Sequence, residues 1–89
     1  MTTSTTTATT LTVRYFAAAR AAAGVETEPV EVSGTVDDAI RAIRHRHGPE
    51  LGRVLDRCSF LLDEVAVRDR TTAVPPGATL DVLPPFAGG

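Results

Sequence analysis

The sequence predicts an α+β fold, one main helix packed on a mixed β-sheet, in the order β-β-α-β-β-β. Three observations carry this. Short segments at both ends of the chain and between them alternate apolar and polar residues with period 2. One segment, 35–47, has helical periodicity with start and stop signals. At 89 residues without internal repeats, there is room for one domain.

The first ten residues, Met1 to Thr10, are mostly Thr and hold little that could be buried. Such a stretch cannot offset the entropy of ordering itself, so 1–10 reads as a disordered tail and 11–89 as the single domain. Leu11 to Phe16 alternates, with Leu11, Val13 and Tyr15 on one face and Thr12, Arg14 and Phe16 on the other, as a half-buried strand does. Ala17 to Ala23 has strong helix-forming composition and is closed by Gly24, giving a helix of one or two turns. Pro29 to Val32 is a second strand, with Val30 and Val32 inward, and pairs antiparallel with the first through the long connection.

The main helix follows. Thr35 caps it, Asp38 stands at the capping-box position, and Asp37 and Asp38 complement the positive helix start. Val36, Ala39, Ile40 and Ile43 form the buried stripe, and Gly48-Pro49 ends the helix. Arg44, His45, Arg46 and His47 read as a solvated C-terminal end. Glu50 to Arg57 adds a short helix carrying Leu51, Val54 and Leu55 inward. Phe60–Leu62 and Val65–Val67 form a hairpin around Asp63-Glu64, where Asn-Gly or Asp-Gly would turn more easily. Pro75-Pro76-Gly77 is a turn. Thr79 to Leu83 is the last strand, with Leu80 and Val82 inward and Thr79, Asp81 and Leu83 outward. Pro84-Pro85 stops its ladder, because proline has no amide donor.

Composition excludes several functions. The formal net charge of −2 offers no basic face for nucleic acid. The first residues lack the basic start and apolar segment of a secretory signal, and no run approaches the ~20 apolar residues of a membrane span. A soluble cytoplasmic protein is the expectation. The single cysteine, Cys58, forbids an internal disulfide and reads as a core residue. His45 and His47 do not share a helix face, and no Cys/His spacing suits a metal. No phosphate loop, nucleophile elbow or catalytic acid pair is present, so no catalytic residue and no bound cofactor are assigned.

The chemistry lies at the end of the sequence. A Gly-Gly ending arises by chance in roughly one chain in 200 at the usual glycine frequency. Here Gly88-Gly89 follows a strand and a diproline stop, which project Phe86-Ala87-Gly88-Gly89 off the fold. Without side chains, such a tail can thread a narrow pocket and present its carboxylate bare. The carboxylate is ionised at neutral pH and is a poor electrophile, so it needs activation, for example as an acyl-adenylate. The chain has no nucleotide motif, so a partner must supply ATP. All nine basic residues are arginine, so no lysine amine is available to attack an activated terminus. Strand parity also puts Phe16 and Leu83, with Ala66 in its own strand, opposite the core. With Phe86 they would make an exposed apolar patch beside the tail, a mark of a partner surface. The alternative for Phe16 is packing under the alanine-rich turn.

Val13 to Gly24, Leu62 to Val67 and Asp81 to Gly89 resemble the MoaD branch of the MoaD/ThiS sulfur carriers, the small subunits of molybdopterin synthase. The Phe16-Ala17…Arg20 opening and the Pro-Pro-x-x-Gly-Gly ending are the most specific parts. Asp63-Glu64 departs from the Asn-Gly-like turn common in the family. The resemblance implies the ubiquitin-like β-grasp fold. It implies that a MoeB-like activating enzyme adenylates Gly89 with ATP and that a sulfur donor enzyme converts it to a thiocarboxylate. The tail 86–89 would then enter a MoaE-like large subunit, which makes molybdopterin from precursor Z. The implied docking surface is Phe16, Ala66, Leu83, Pro84, Pro85 and Phe86. Arg20 matches a recurrent family arginine, in a docking or a structural role. On this reading the chain is a sulfur-donating, non-catalytic subunit. The alternatives are a carrier for thiazole or cysteine synthesis, a ubiquitin-like modifier conjugated through Gly89, and an interaction domain with an inert tail.

Overall fold

The computed structural model describes residues 9–85. Its elements run β1 (Thr9–Tyr15), α1 (Ala17–Ala23), β2 (Thr27–Val32), α2 (Val36–His47), α3 (Pro49–Leu55), β3 (Ser59–Leu62), β4 (Val65–Ala66) and β5 (Thr79–Leu83). The five strands form one mixed sheet in the order β2-β1-β5-β3-β4. The central pair, β1 and β5, is parallel, with Arg14 beside Asp81 and Tyr15 beside Val82. The other pairs are antiparallel. This is the β-grasp, ubiquitin-like fold.

Alternation along the strands builds the core. Leu11, Val13 and Tyr15 of β1, Val30 and Val32 of β2, Phe60 of β3, and Leu80 and Val82 of β5 are all buried on one face. Against them lie Val36, Ala39, Ile40 and Ile43 of α2, Leu51 and Leu55 of α3, and Ala19 of α1. The helices cover one face of the sheet, so every second strand residue faces away from them.

Local signals set the helix ends. Thr35 Oγ1 accepts the Asp38 amide at 3.2 Å, and the Asp38 carboxylate accepts the Thr35 amide at 2.9 Å, a complete capping box. A side chain on Gly34 would collide with that carboxylate. Two further amide donors at the start of α2, Val36 and Asp37, reach Thr72 and Arg70 carbonyls of the long β4–β5 connection. Gly24 closes α1 at φ 80, a left-handed position, with its amide on the Arg20 carbonyl.

The structure moves three sequence expectations. Strand β1 begins at Thr9, two residues before its expected start, because Thr9 and Thr10 find partners in Val32 and Glu31 of β2; residues 1–8 lie outside the described residues. The run 44–47 is not simply solvated. Arg44 spans to Asp56 at 2.8 Å and to the Gly52 carbonyl, tying α2 to α3. Arg46 and the half-buried His47 both meet Glu28 of β2, at 3.1 and 2.6 Å, and Tyr15 donates its hydroxyl to the same carboxylate at 2.5 Å. Burial alone would raise the Glu28 pKa, but the hydrogen bonds from Tyr15, His47 and Arg46 together hold it below its ordinary value. Asp81 points outward as expected and is nonetheless buried, because Arg14 lies over it.

Candidate docking face and tail root

The outward face of the sheet carries the candidate site. Registers place its residues without ambiguity. Arg14 of β1, Asp81 of β5, Leu61 of β3 and Ala66 of β4 form one row across four strands. One step toward the chain's end, Leu83 lies beside Ser59. Phe16 follows Tyr15 at the level of Leu83, its amide donating to the Val82 carbonyl at 3.2 Å.

Phe16 ends β1 and stands at the N-cap of α1, where its carbonyl accepts from Ala19 and Arg20. The next residue, Ala17, has φ 52, so the chain turns sharply there. That turn leaves Phe16 on the outward face with 38% of its surface exposed. Leu83 and Pro84 are half-buried, and Ala66 and Pro85 are exposed. The structure therefore brings Phe16 and Leu83 to one level of the outward face, while Pro84 lies with Ala18 and Val54 at the edge of α1 and α3. Ala66 shares the face but sits two strands from Leu83, with Leu61 between. Leu61 is a site residue the sequence reading passed over; its parity, opposite to Phe60, was the available signal. Phe86, Ala87, Gly88 and Gly89 lie outside the described residues.

An ion pair lies in the middle of this face. Arg14 grips Asp81 side-on, Nε to Oδ1 at 2.6 Å and Nη2 to Oδ2 at 2.8 Å. The Asp81 side chain is only 6% exposed, whereas Arg14 keeps 43% of its side chain in solvent. Hydrogen bonding to Asp81 raises the Arg14 pKa further, so the guanidinium stays charged. It also lies 5.7 Å from the Phe16 ring centroid, within cation–π range. The pair sets a fixed polar group beside the apolar side chains of Phe16, Leu61 and Leu83.

Other sequence-predicted residues fall elsewhere. Arg20 is on the exposed side of α1 and meets Glu26 at 3.7 Å. Cys58 is half-buried against the core; its thiol donates to the Val54 carbonyl, and burial pushes its pKa up to about 11. Such a thiol is a weak nucleophile at neutral pH. Among the described residues, no group of three His, Cys, Asp or Glu is placed to hold a metal ion, and no helix is long and apolar enough to cross a membrane.

Fold and face together define a ubiquitin-like domain with an uncovered sheet face at the root of its C-terminal tail. Residues 13–89 match the model of the ThiS family, and the chain belongs to that family. Its members are ubiquitin-like sulfur carriers and modifiers. Among solved structures it is similar to SAMP1 from Haloferax volcanii (31% identity, TM-score 0.79, covering 90% of this chain and 99% of the other). It is also similar to the putative molybdopterin converting factor subunit 1 from Pyrococcus furiosus (25% identity, TM-score 0.78, 88% and 99%). A complex of subunits 1 and 2 of molybdopterin-converting factor from Helicobacter pylori shares the fold at 22% identity (TM-score 0.67, 90% and 99%). No curated protein sequence matches.

Proposed function

We propose that the chain is the sulfur carrier of molybdenum cofactor synthesis, with Gly89 as its working residue. A MoeB-like enzyme adenylates the Gly89 carboxylate, expelling pyrophosphate from ATP. Sulfur from a donor enzyme then displaces AMP and leaves a thiocarboxylate. Residues 86–89 enter a MoaE-like large subunit, where the sulfur passes to precursor Z. The observation that carries this reading is the uncovered apolar face of Phe16, Leu61 and Leu83 at the root of the Gly-Gly tail. The six residues beyond Leu83 span at most about 20 Å, so a partner seated on that face would hold its active centre within this reach. Docking makes the transfer effectively intramolecular, and the soft thiocarboxylate sulfur is a good nucleophile. The large subunit supplies the acid and base groups, and this chain needs no cofactor. The similarity to the putative molybdopterin converting factor subunit 1 from Pyrococcus furiosus supports the molybdopterin branch.

A second reading, a protein modifier conjugated through Gly89, is favoured by the 31% identity to SAMP1. With no lysine in the chain, conjugates on target lysines would carry single copies, not lysine-linked chains.

The test is intact mass spectrometry after incubation with ATP, a MoeB-like enzyme and a sulfur source. One oxygen replaced by sulfur, localised to Gly89 and absent in Gly89→Ala, is the expected result. An unchanged mass, with the enzyme active on another carrier, overturns the carrier reading. Pull-down of a thiazole synthase instead of a MoaE-like subunit would overturn the branch.

A further inference from the structure

The sheet has two edges, and only one of them is long. β4 ends it on one side with two residues, Val65 and Ala66. β2 ends it on the other with six, Thr27–Val32, and no other strand among the described residues covers its outer side. An open edge of that length is a template for a further strand, and every copy of the chain carries one.

Backbone groups alternate along β2. The Tyr15 amide donates to the Glu26 carbonyl at 2.8 Å, and bonded positions recur at every second residue, so Glu28, Val30 and Val32 turn their amides and carbonyls to β1. Thr27, Pro29 and Glu31 turn theirs to the open edge. In the middle of that edge Pro29 has no N–H to donate, and its carbonyl already accepts Arg46 Nη1 at 3.1 Å. Arg46 comes from the end of α2, and the same nitrogen donates to Glu28 Oε1 at 3.1 Å. Tyr15 and His47 hold that carboxylate in turn, so the guanidinium is anchored where it stands.

We infer that Pro29 and Arg46 together close the β2 edge, and that the strand they exclude is β2 of a second copy. Two antiparallel β2 strands are otherwise self-complementary about a two-fold axis. With Pro29 opposite Pro29, each Thr27 faces Glu31 of the other copy, and no like charges meet. That register loses both hydrogen bonds of its central pair, because neither proline donates. The registers with Pro29 opposite Thr27 or Glu31 need the Pro29 carbonyl as acceptor, and Arg46 occupies it. The proline blocks the symmetric pairing and the arginine the shifted ones. Association through the sheet is left to its outward face, whatever the tail carries.

The experiment compares the full-length chain with Pro29→Val/Arg46→Ala by sedimentation equilibrium at matched concentrations. Pro29 is exposed and valine suits a strand, while Glu28 keeps Tyr15 and His47 when Arg46 is removed, so the variant should retain its fold. The parent should remain a monomer, and the apparent mass of the double variant should rise about twofold with concentration. In the associated variant the Thr27 and Glu31 amides should become protected from hydrogen exchange. A double variant that stays monomeric with a parent-like circular dichroism spectrum overturns the inference, as does association that leaves those two amides unprotected. Either single substitution associating as strongly as the pair overturns the joint guard. Exchange in the unsubstituted chain covers a variant that does not fold: Thr27 and Glu31 should exchange freely at every concentration while Val30 and Val32 are protected. Protection of Thr27 and Glu31 that grows with concentration would show the edge to be open.

Discussion

Truncating Phe16 tests the docking face most directly. Its 38% exposure, applied to an aromatic side chain of about 200 Å², leaves roughly 75 Å² for a partner to cover. At ~25 cal/mol per Å² that area contributes roughly 2 kcal/mol. Phe16→Ala should therefore weaken binding to the large subunit roughly 10- to 30-fold. The buried remainder sets the stability cost at about 1–2 kcal/mol, because full burial of a phenylalanine contributes roughly 1.5–3 kcal/mol. Phe16→Leu should restore most of both. Titration calorimetry at a temperature where both proteins are folded reads the first quantity, and thermal unfolding of the free carrier the second. Equal affinity for Phe16→Ala and the parent would refute the docking face. Collapse of the free variant would show instead that Phe16 belongs to the core under α1.

Three further predictions concern the scaffold. Asp63 and Glu64 turn the β3–β4 hairpin at φ 48 and 69, a left-handed geometry costing an L-residue about 1–2 kcal/mol. Glu64→Gly relieves that strain at an entropic cost of about 0.5–1 kcal/mol and should raise Tm by roughly 2–8 °C; a fall in Tm would contradict the turn assignment. The Glu28 carboxylate is held below its ordinary 4.5, so its contribution is full above that pH and lost as pH falls through its lower folded value. Glu28→Gln should flatten the acid limb of the stability curve below pH 4.5, and an unchanged limb would show that the carboxylate is not so held. Cys58, with its pKa pushed to about 11, should react with iodoacetamide on the order of 100-fold more slowly in the folded chain than in the unfolded one. Equal rates would show the thiol to be free.

Local signals read well because the rules behind them are local. Leu11, Val13 and Tyr15 alternate whatever they pair with, and Thr35 with Asp38 caps a helix using residues three apart. Even the awkward Asp63-Glu64 turn was visible as a departure from Asn-Gly, and both residues take the positive φ that glycine would adopt freely. What escaped was the pairing of polar groups distant in sequence. Arg14 and Asp81 are 67 residues apart, and Glu28 and His47 are 19 apart. Arg14 and Asp81 read as outward residues and His47 as a solvated one, and Glu28 lay outside the expected strand, until strand register and helix packing brought the partners within 3 Å. Leu61 was missed for a related reason: three apolar residues in a row, Phe60 to Leu62, hide which one faces out.

The sequence by itself determined the element order, the buried face of each strand and helix, and the Gly-Gly tail behind a diproline stop. These depend on periodicity and backbone restrictions that each short segment carries alone. Only the tertiary structure decided that β1 and β5 lie parallel at the sheet centre. That neighbourhood makes Phe16 and Leu83 one surface and buries Asp81 under Arg14. A docking face is a property of residues from several strands at once, and no single segment encodes which strand will be its neighbour.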